Sequence, residues 1–153
     1  MNNQVTTIAE DKTISIFIME EDEFFRIFLQ DTLIIHSSQK VLVSTAPTAK
    51  DGLQILYEAL PFVPDAIILC LSIPMKYGEM PDMLGGFKVL KELRANENFK
   101  KVPIIIFSKY SDAKIRKKAK ELGATKYLVK GDWMPRDIAN VISKAGEKYS
   151  FKF

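Results

Sequence analysis

Short apolar runs alternate with longer amphipathic stretches along the whole chain. The apolar runs are rich in Ile, Val and Phe and have the length of strands. Five such alternations are typical of βα units and predict an open, doubly wound α/β fold with a parallel sheet. The predicted strands span residues 14–19, 41–45, 66–71, 102–107 and 126–129, and the predicted helices span residues 23–35, 49–60, 86–95, 112–122 and 134–148.

Prolines and glycines mark the limits of these elements. Pro61 and Pro64 stop the second helix, and Pro103 is predicted to begin the fourth strand, where a missing N–H is tolerated. Gly123 follows the fourth helix, where a left-handed cap is expected. A long loop over residues 72–85 follows the third strand. The 153 residues, 47% of them hydrophobic, predict one domain over residues 12–149, with flexible termini at 1–11 and 150–153.

Composition and charge disfavour several classes of protein. No apolar run reaches the roughly 20 residues of a membrane helix, and the polar N-terminus lacks the features of a secretory signal. The one cysteine cannot form an internal disulfide, which fits a cytoplasmic protein. Residues 1–87 carry a net charge of −7 and residues 88–153 one of +10. Because no aromatic and basic motif accompanies the basic half, we do not expect nucleic-acid binding.

Polar residues follow the predicted strands at their carboxyl ends. In an open parallel sheet these ends meet at one edge, where ligand sites form at the switch in strand order. Asp22 and Glu23 are explained as the cap and charge complement of the first helix, but their acidic neighbours are not. The residues expected to converge are Glu20, Glu21 and Asp22 from the first strand, Cys70 and Ser72 from the third, Ser108 from the fourth and Lys130 from the fifth.

Four segments in the same order and spacing carry a family resemblance. They are residues 16–23 (IFIMEEDE), 64–74 (PDAIILCLSIP), 102–108 (VPIIIFS) and 123–130 (GATKYLVK). With them, the chain resembles the receiver domain of response regulators over nearly its whole length. The resemblance implies a flavodoxin-like, three-layer α/β/α fold with sheet order 2-1-3-4-5. It also implies a non-enzymatic module of two-component phosphorelay signalling.

The resemblance assigns roles to the residues at the strand ends. In that family an acid pair holds a divalent cation, an aspartate takes the phosphoryl group from a histidine kinase, and a hydroxyl and a lysine contact the phosphate. An aromatic residue on the fifth strand acts as a switch. Carried over, the acid pair is Glu20 and Glu21 with Ser72 beside them, the phosphate contacts are Ser108 and Lys130, the switch aromatic is Tyr127, and the acceptor position is Cys70.

The cysteine at the acceptor position is the main departure from the family pattern. A neutral thiol supplies neither the carboxylate nucleophile nor a hard ligand for Mg²⁺, so aspartyl phosphorylation at Cys70 is ruled out. Glu21 stands where the family usually has an aspartate, and Gly131 stands where it has a proline after Lys130. The longer side chain of Glu21 disturbs octahedral geometry. We therefore expect weak Mg²⁺ binding and no other cofactor.

The expected function is signalling through protein contacts that do not depend on phosphate. The partners implied are a histidine kinase, a phosphotransfer protein or an output protein. The sequence ends just after the fifth helix, so if this is the natural full length, we expect a stand-alone receiver. The fourth helix is strongly basic, and the resemblance makes it, the fifth strand and the fifth helix a partner face that could also form a homodimer. Its basic residues are Lys114, Arg116, Lys117, Lys118 and Lys120.

Three other functions are compatible with the sequence. One is a receiver phosphorylated at an unusual acceptor, although Asp65 lies about 17 Å away at the other end of the third strand and Asp82 lies in the long loop. Another is a thiol redox sensor that uses Cys70. The third is a flavodoxin-like cofactor-binding protein, which the absence of a Gly-rich phosphate loop after the first strand disfavours.

Overall fold

Five parallel strands form one sheet, and numbered along the chain they lie in the order 2-1-3-4-5. A computed structural model describes residues 12–150, without the side chains of Leu84 and residues 148–150. The apolar side chains of the three central strands are buried on both faces, as parallel strands covered by helices require. The predicted fold class and strand order are confirmed. The strands are β1 Ile14–Met19, β2 Val41–Ala46, β3 Ala66–Leu69, β4 Ile104–Ser108 and β5 Lys126–Val129.

Helices cover both faces of the sheet and give three layers. The helices are α1 Glu23–His36, α2 Ala49–Gln54, which continues as a π-helical turn over Ile55–Ala59, α3 Met83–Ala95, α4 Ala113–Glu121 and α5 Pro135–Ser150. One apolar cluster packs the strands against α1 and α5 through residues such as Leu33 and Ile142. The other packs them against α2, α3 and α4 through residues such as Leu90 and Ala119.

Side-chain caps explain where the first four helices begin. Asp22, Thr48, Asp82 and Asp112 each accept a hydrogen bond from a backbone N–H in the first turn of the helix that follows. Such caps use donors that a helix leaves unpaired at its N-terminus. The third helix therefore begins at Met83, and the prediction of a start at residue 86 was wrong because the cap at Asp82 was not recognised.

The chain leaves the sheet earlier after β3 than predicted. The strand ends at Leu69 rather than at residue 71, because α3 approaches the following segment closely. The N–H of Gly86 donates to the carbonyl of Leu71 at 2.9 Å, and a Cβ on Gly86 would lie 2.4 Å from the Cα of Leu71. The loop is also closed on itself by a bridge between Ile73 and Asp82. Residues 76–80 of the loop are exposed, whereas Pro74 is buried and its carbonyl accepts from Ala49 N–H at 2.9 Å.

The remaining limits differ from the predictions by a few residues. Pro103 precedes β4 instead of beginning it, although its carbonyl still accepts from Ile67 N–H at 2.9 Å. Ser150 belongs to α5, whereas it was assigned to a flexible tail. The predicted termini at residues 1–11 and 151–153 lie outside the described residues, and the single domain over 12–149 stays a prediction. Within residues 12–150, the helices lack the length or the apolar character needed to cross a bilayer.

Candidate functional site

The backbone of the sheet places the strand-end residues side by side. Met19 pairs with Leu69 across β1 and β3, and the N–H of Cys70 donates to the carbonyl of Met19 at 2.9 Å. On the other side, the N–H of Lys130 donates to the carbonyl of Ser108 at 2.7 Å. These bonds bring the strand ends to the rim of a cleft of about 410 Å³. The cleft is lined by Glu20, Glu21, Asp22, Phe25, Cys70, Ser72, Lys109, Lys130 and Gly131.

An ion pair between Glu20 and Lys130 lies at the bottom of this site. Lys130 Nζ is 2.8 Å from Glu20 Oε2, and the two side chains are only 11% and 2% exposed. Among the described residues, Glu20 Oε2 accepts no hydrogen bond, so its contact with Lys130 is an ion pair. Glu20 Oε1 accepts the N–H of Asp22 at 3.1 Å. The carboxylate is therefore compensated by charge at one oxygen and by a hydrogen bond at the other.

The same ammonium group also contacts Cys70. Lys130 Nζ donates to Cys70 Sγ at 3.7 Å, so it lies between the thiol and the carboxylate of Glu20. Two aromatic rings surround it further, with Nζ 4.2 Å from the ring centre of Phe25 and 5.4 Å from that of Phe107. Cation–π contacts of this kind stabilise a partly desolvated ammonium. The positive charge of Lys130 is thus held by groups of the protein itself.

Burial keeps the thiol of Cys70 protonated. Desolvation of this residue, which is 4% exposed, is the largest cause, and the charge of Glu20 acts in the same direction. The ammonium of Lys130 opposes both. Together they raise the pKa of Cys70 to about 12. Because the thiolate is the reactive form of cysteine, a buried thiol with this pKa lacks the properties of a redox sensor.

Glu21 is positioned differently from Glu20. Its side chain is exposed at the rim of the cleft, while its backbone carbonyl accepts from Arg26 Nη1 at 3.2 Å. Partial burial and the neighbouring charges of Glu20 and Asp22 raise the pKa of Glu21, and Lys130 and Lys109 lower it. The two glutamates that the sequence treated as a pair therefore have separate surroundings, one buried and ion-paired, the other open to solvent.

Ser108 and Tyr127 lie behind the cleft and belong to a hydrogen-bond network centred on Tyr110. Ser108 is buried, and its hydroxyl oxygen accepts the N–H of Tyr110 at 3.1 Å. The hydroxyl of Tyr127 donates to the Tyr110 carbonyl at 2.7 Å. The Ser72 hydroxyl donates to the Tyr110 hydroxyl at 3.4 Å, and Arg116 lies 5.5 Å from the ring centre of Tyr127. Tyr127 is therefore held in a half-buried position by the loop after β4 and by α4.

The aspartates considered as substitute acceptors have structural contacts elsewhere. The carboxylate of Asp65 accepts from both the N–H and the hydroxyl of Ser15, at the amino end of the sheet. Asp82 Oδ1 accepts from Gly85 N–H in the cap of α3. Neither aspartate lines the cleft. The carboxylate that does line it besides the two glutamates is Asp22, which caps α1.

Comparison with known proteins decides the family. The sequence model of the response regulator receiver domain matches residues 16–143. The chain belongs to this family. Its fold is shared with the phosphorylated cyanobacterial phytochrome response regulator RcpA, which is 19% identical with a TM-score of 0.71 over 93% of this chain and 97% of RcpA.

Two further receiver structures have the same fold. The CheY-like receiver domain protein of Methanospirillum hungatei is 19% identical, with a TM-score of 0.69 over 93% of this chain and 100% of that chain. The chemotaxis response regulator CheY4 of Vibrio cholerae is 20% identical, with a TM-score of 0.70 over 88% and 99%. The match to the family model makes the chain a receiver domain of two-component signalling, and the cleft lies where its strand order reverses.

The acidic residues of this receiver domain do not form a ligand set for Mg²⁺. The ammonium group of Lys130 contacts one oxygen of Glu20, and the sulfur of Cys70 stands where a hard oxygen ligand would be needed. Within residues 12–150, no group of three or more His, Cys, Asp or Glu side chains is placed to hold a metal ion. The expected weak Mg²⁺ site at Glu20, Glu21 and Ser72 therefore lacks support in the geometry.

Sequence reasoning missed four residues that shape the site. Phe25 and Phe107 surround the ammonium of Lys130, and Lys109 lines the cleft. Tyr110 links Ser72, Ser108 and Tyr127. Lys109 and Tyr110 directly follow Ser108 at a strand end, which was a usable signal. No comparable signal marked the two phenylalanines, because apolar residues of a helix and a strand are normally assigned to the core.

Proposed function

We propose that this receiver domain signals without aspartyl phosphorylation, through contacts with other proteins in the cytoplasm, and catalyses no reaction of its own. The observation that carries the proposal is the pairing of Lys130 with Glu20 beside a neutral Cys70. Phosphoryl transfer to a receiver needs a carboxylate nucleophile and cations that offset the developing negative charge. At this site the nucleophile is absent and the buried cation already has a partner.

The state of Cys70 also argues against transfer to sulfur. A thiol with a pKa of about 12 is protonated at neutral pH, and its side chain is almost completely buried. An in-line attack on a phosphodonor would require both a thiolate and access from the cleft. The charge of Glu20 next to the sulfur would also repel an incoming phosphate. Phosphocysteine is therefore disfavoured by reactivity, access and charge together.

A domain without its own chemistry acts through the proteins that it contacts. Receiver domains typically interact with histidine kinases and with output or other signalling proteins. For this chain we propose such a partner, bound on a surface whose shape does not depend on a phosphoryl group. The network around Tyr110 supports this proposal, because it holds Tyr127 in one position through hydrogen bonds that need no ligand.

Intact-protein mass after incubation with acetyl phosphate and Mg²⁺ tests the proposal. The samples are the native chain, Cys70→Asp, Cys70→Ser and a receiver with an aspartate acceptor, which shows that the phosphodonor is active. We expect the native chain and Cys70→Ser to keep their mass. Cys70→Asp restores a carboxylate within reach of Lys130, and we expect it to gain one phosphoryl group.

A phosphoryl mass on the native chain would overturn the proposal. If Cys70→Ser lost that mass, sulfur would be the acceptor. If Cys70→Ser kept it, another residue would be the acceptor, and peptide mapping would begin with Asp22 because its side chain lines the cleft. The proposal is supported if the native chain gains no phosphoryl mass while the control receiver is phosphorylated.

A further inference from the structure

A groove at the edge of the sheet carries more positive charge than its surroundings can compensate. It lies between α4 and the beginning of β5 and has a volume of about 450 Å³. We call it the α4–β5 groove. Its lining consists of Arg116, Lys117, Lys120, Ala124, Thr125, Lys126 and Tyr127. Four of these seven residues are cationic and none is acidic, so a ligand of opposite charge is favoured.

Few acidic groups of the protein neutralise this charge. Lys117 Nζ lies 3.9 Å from Glu121, but both side chains are mostly exposed, so this pair is weak. Arg116 packs over the ring of Tyr127, and within residues 12–150 it forms no ion pair. Lys120 and Lys126 are both exposed, and within that range they also form no ion pair. Three cations of the groove are therefore available to a partner.

The groove also borders an unpaired strand edge. The strand β5 pairs with β4 alone and is the last strand of the sheet. The N–H and C=O groups on the outer side of an edge strand can bind an added strand from another polypeptide. Lys126 begins β5 and is exposed. A segment bound along this edge would therefore have side chains close to the ammonium group of Lys126.

Nucleic acid fits this groove less well than a polypeptide. Binding of single strands relies on aromatic side chains that are free to stack with bases. The aromatic residue of the groove is Tyr127, whose hydroxyl is bonded to Tyr110 and whose ring is covered by Arg116. A strand edge, in contrast, matches the regular spacing of the N–H and C=O groups of an extended polypeptide.

We propose that the α4–β5 groove binds an extended acidic segment of a partner protein. The inference rests on the proposed function for the role of this contact, since it names the chemistry of the partner through which the domain would act. Carboxylates of the segment would contact Arg116, Lys120 and Lys126, and its backbone would lie along β5. Electrostatic complementarity of this kind sets specificity and the rate of association.

Fluorescence anisotropy with a labelled peptide of alternating glutamate and valine tests this binding. Peptides that alternate glutamine or lysine with valine, and a labelled DNA duplex, serve as comparison probes. We expect the glutamate peptide to bind the native chain more tightly than the other three probes. Binding should weaken at least about tenfold when salt is raised from 50 to 500 mM, because exposed charges are screened over a few ångströms at high salt.

Charge reversal in the groove supplies the matched comparison. The variant Lys120→Glu/Lys126→Glu changes the charge by the same amount as Lys88→Glu/Lys91→Glu, whose positions are exposed on α3 outside the groove. We expect the groove variant to weaken binding of the glutamate peptide about tenfold or more and the α3 variant by less than about twofold. Thermal melting of both variants shows whether each is folded.

Several results would overturn the inference. They are equal weakening by the two variants, absence of peptide binding, and tighter binding of the DNA duplex, which would assign the groove to nucleic acid. Sedimentation that shows self-association of the native chain, lost in the groove variant, would assign it to a second copy instead. None of these results depends on phosphorylation. A mass gain from acetyl phosphate would therefore contradict the proposed function while leaving peptide binding as it is.

Discussion

Two cationic regions of this receiver domain obey different physical rules. At the cleft, the charge of Lys130 is almost buried and lies within contact of Glu20, Cys70 and the ring of Phe25. At the α4–β5 groove, several lysine and arginine side chains extend into solvent with one weak ion pair. A buried charge must be compensated inside the protein, whereas an exposed charge is compensated by water and salt.

This difference separates a structural centre from a recognition surface. Removing one partner of a buried ion pair leaves an uncompensated charge in a region of low dielectric constant, so stability depends strongly on the pair being complete. Removing a solvated lysine leaves nothing uncompensated. Mutations at the cleft should therefore act on folding, and mutations at the groove should act on binding. A cleft variant with unchanged stability, or a groove variant with lowered stability, would contradict this distinction.

The largest effect is expected for Lys130→Met. The substitution leaves the carboxylate of Glu20 buried without its cation, which should lower the free energy of unfolding by about 3 to 5 kcal/mol. Urea denaturation measures the loss. The double variant Lys130→Met/Glu20→Gln removes both charges and should recover much of it. An unchanged midpoint for the single variant would show that the ion pair is not a structural centre.

A smaller effect is expected from the titration of Cys70 at alkaline pH. The pKa of about 12 in the folded state exceeds the ordinary value of 9.0, so the unfolded chain releases this proton first. The contribution is complete below pH 9 and is lost as pH rises from 9 towards 12. Between pH 8 and pH 10 the native chain should lose about 1.4 kcal/mol more stability than Cys70→Ser. Parallel pH profiles for the two proteins would contradict the burial of a neutral thiol.

A comparable or slightly smaller loss is expected for Tyr127→Phe. The substitution removes the hydrogen bond from the Tyr127 hydroxyl to the Tyr110 carbonyl and keeps the ring beneath Arg116. Loss of one such bond lowers stability by about 1 kcal/mol. Thermal denaturation measures this loss. A variant as stable as the native chain would show that Tyr127 is held by packing alone.

The smallest effect on stability is expected for Lys120→Ala in the groove. Its side chain is exposed, and alanine favours a helix at least as well as lysine does. The midpoint of urea denaturation should therefore stay where it is, while binding of the glutamate peptide weakens. A clear loss of stability would show that the groove lysines support α4, and it would remove the distinction between the two regions.

Much of the fold followed from local patterns. The alternation of apolar runs and amphipathic stretches was sufficient to predict the five strands and their helices. Each element buries one or both faces, and the spacing of its apolar residues and the length of the run indicate which kind of element it is. The first or last residue of an element was predicted wrongly where a contact with another residue outside the repeating pattern determines it. The start of α3 depends on the cap at Asp82, and the end of β3 depends on the close approach of Gly86 to Leu71.

The sequence by itself determined which residues meet at the cleft. Glu20, Cys70 and Lys130 each stand beside the carboxyl end of a strand, and parallel pairing brings such ends together, with Ser108 behind the cleft. It also determined that the acceptor position holds a thiol. These conclusions need the order of residues and the direction of the strands, but no side-chain geometry.

Only the tertiary structure decided how those residues share their charges. Lys130 could pair with Glu20 or with Glu21, and packing against Phe25 and Phe107 directs its ammonium to the buried Glu20. Burial, which sums contributions from distant parts of the chain, then determines that Cys70 stays protonated. Distances of a few ångströms and the exclusion of water set these interactions, and a linear sequence contains neither.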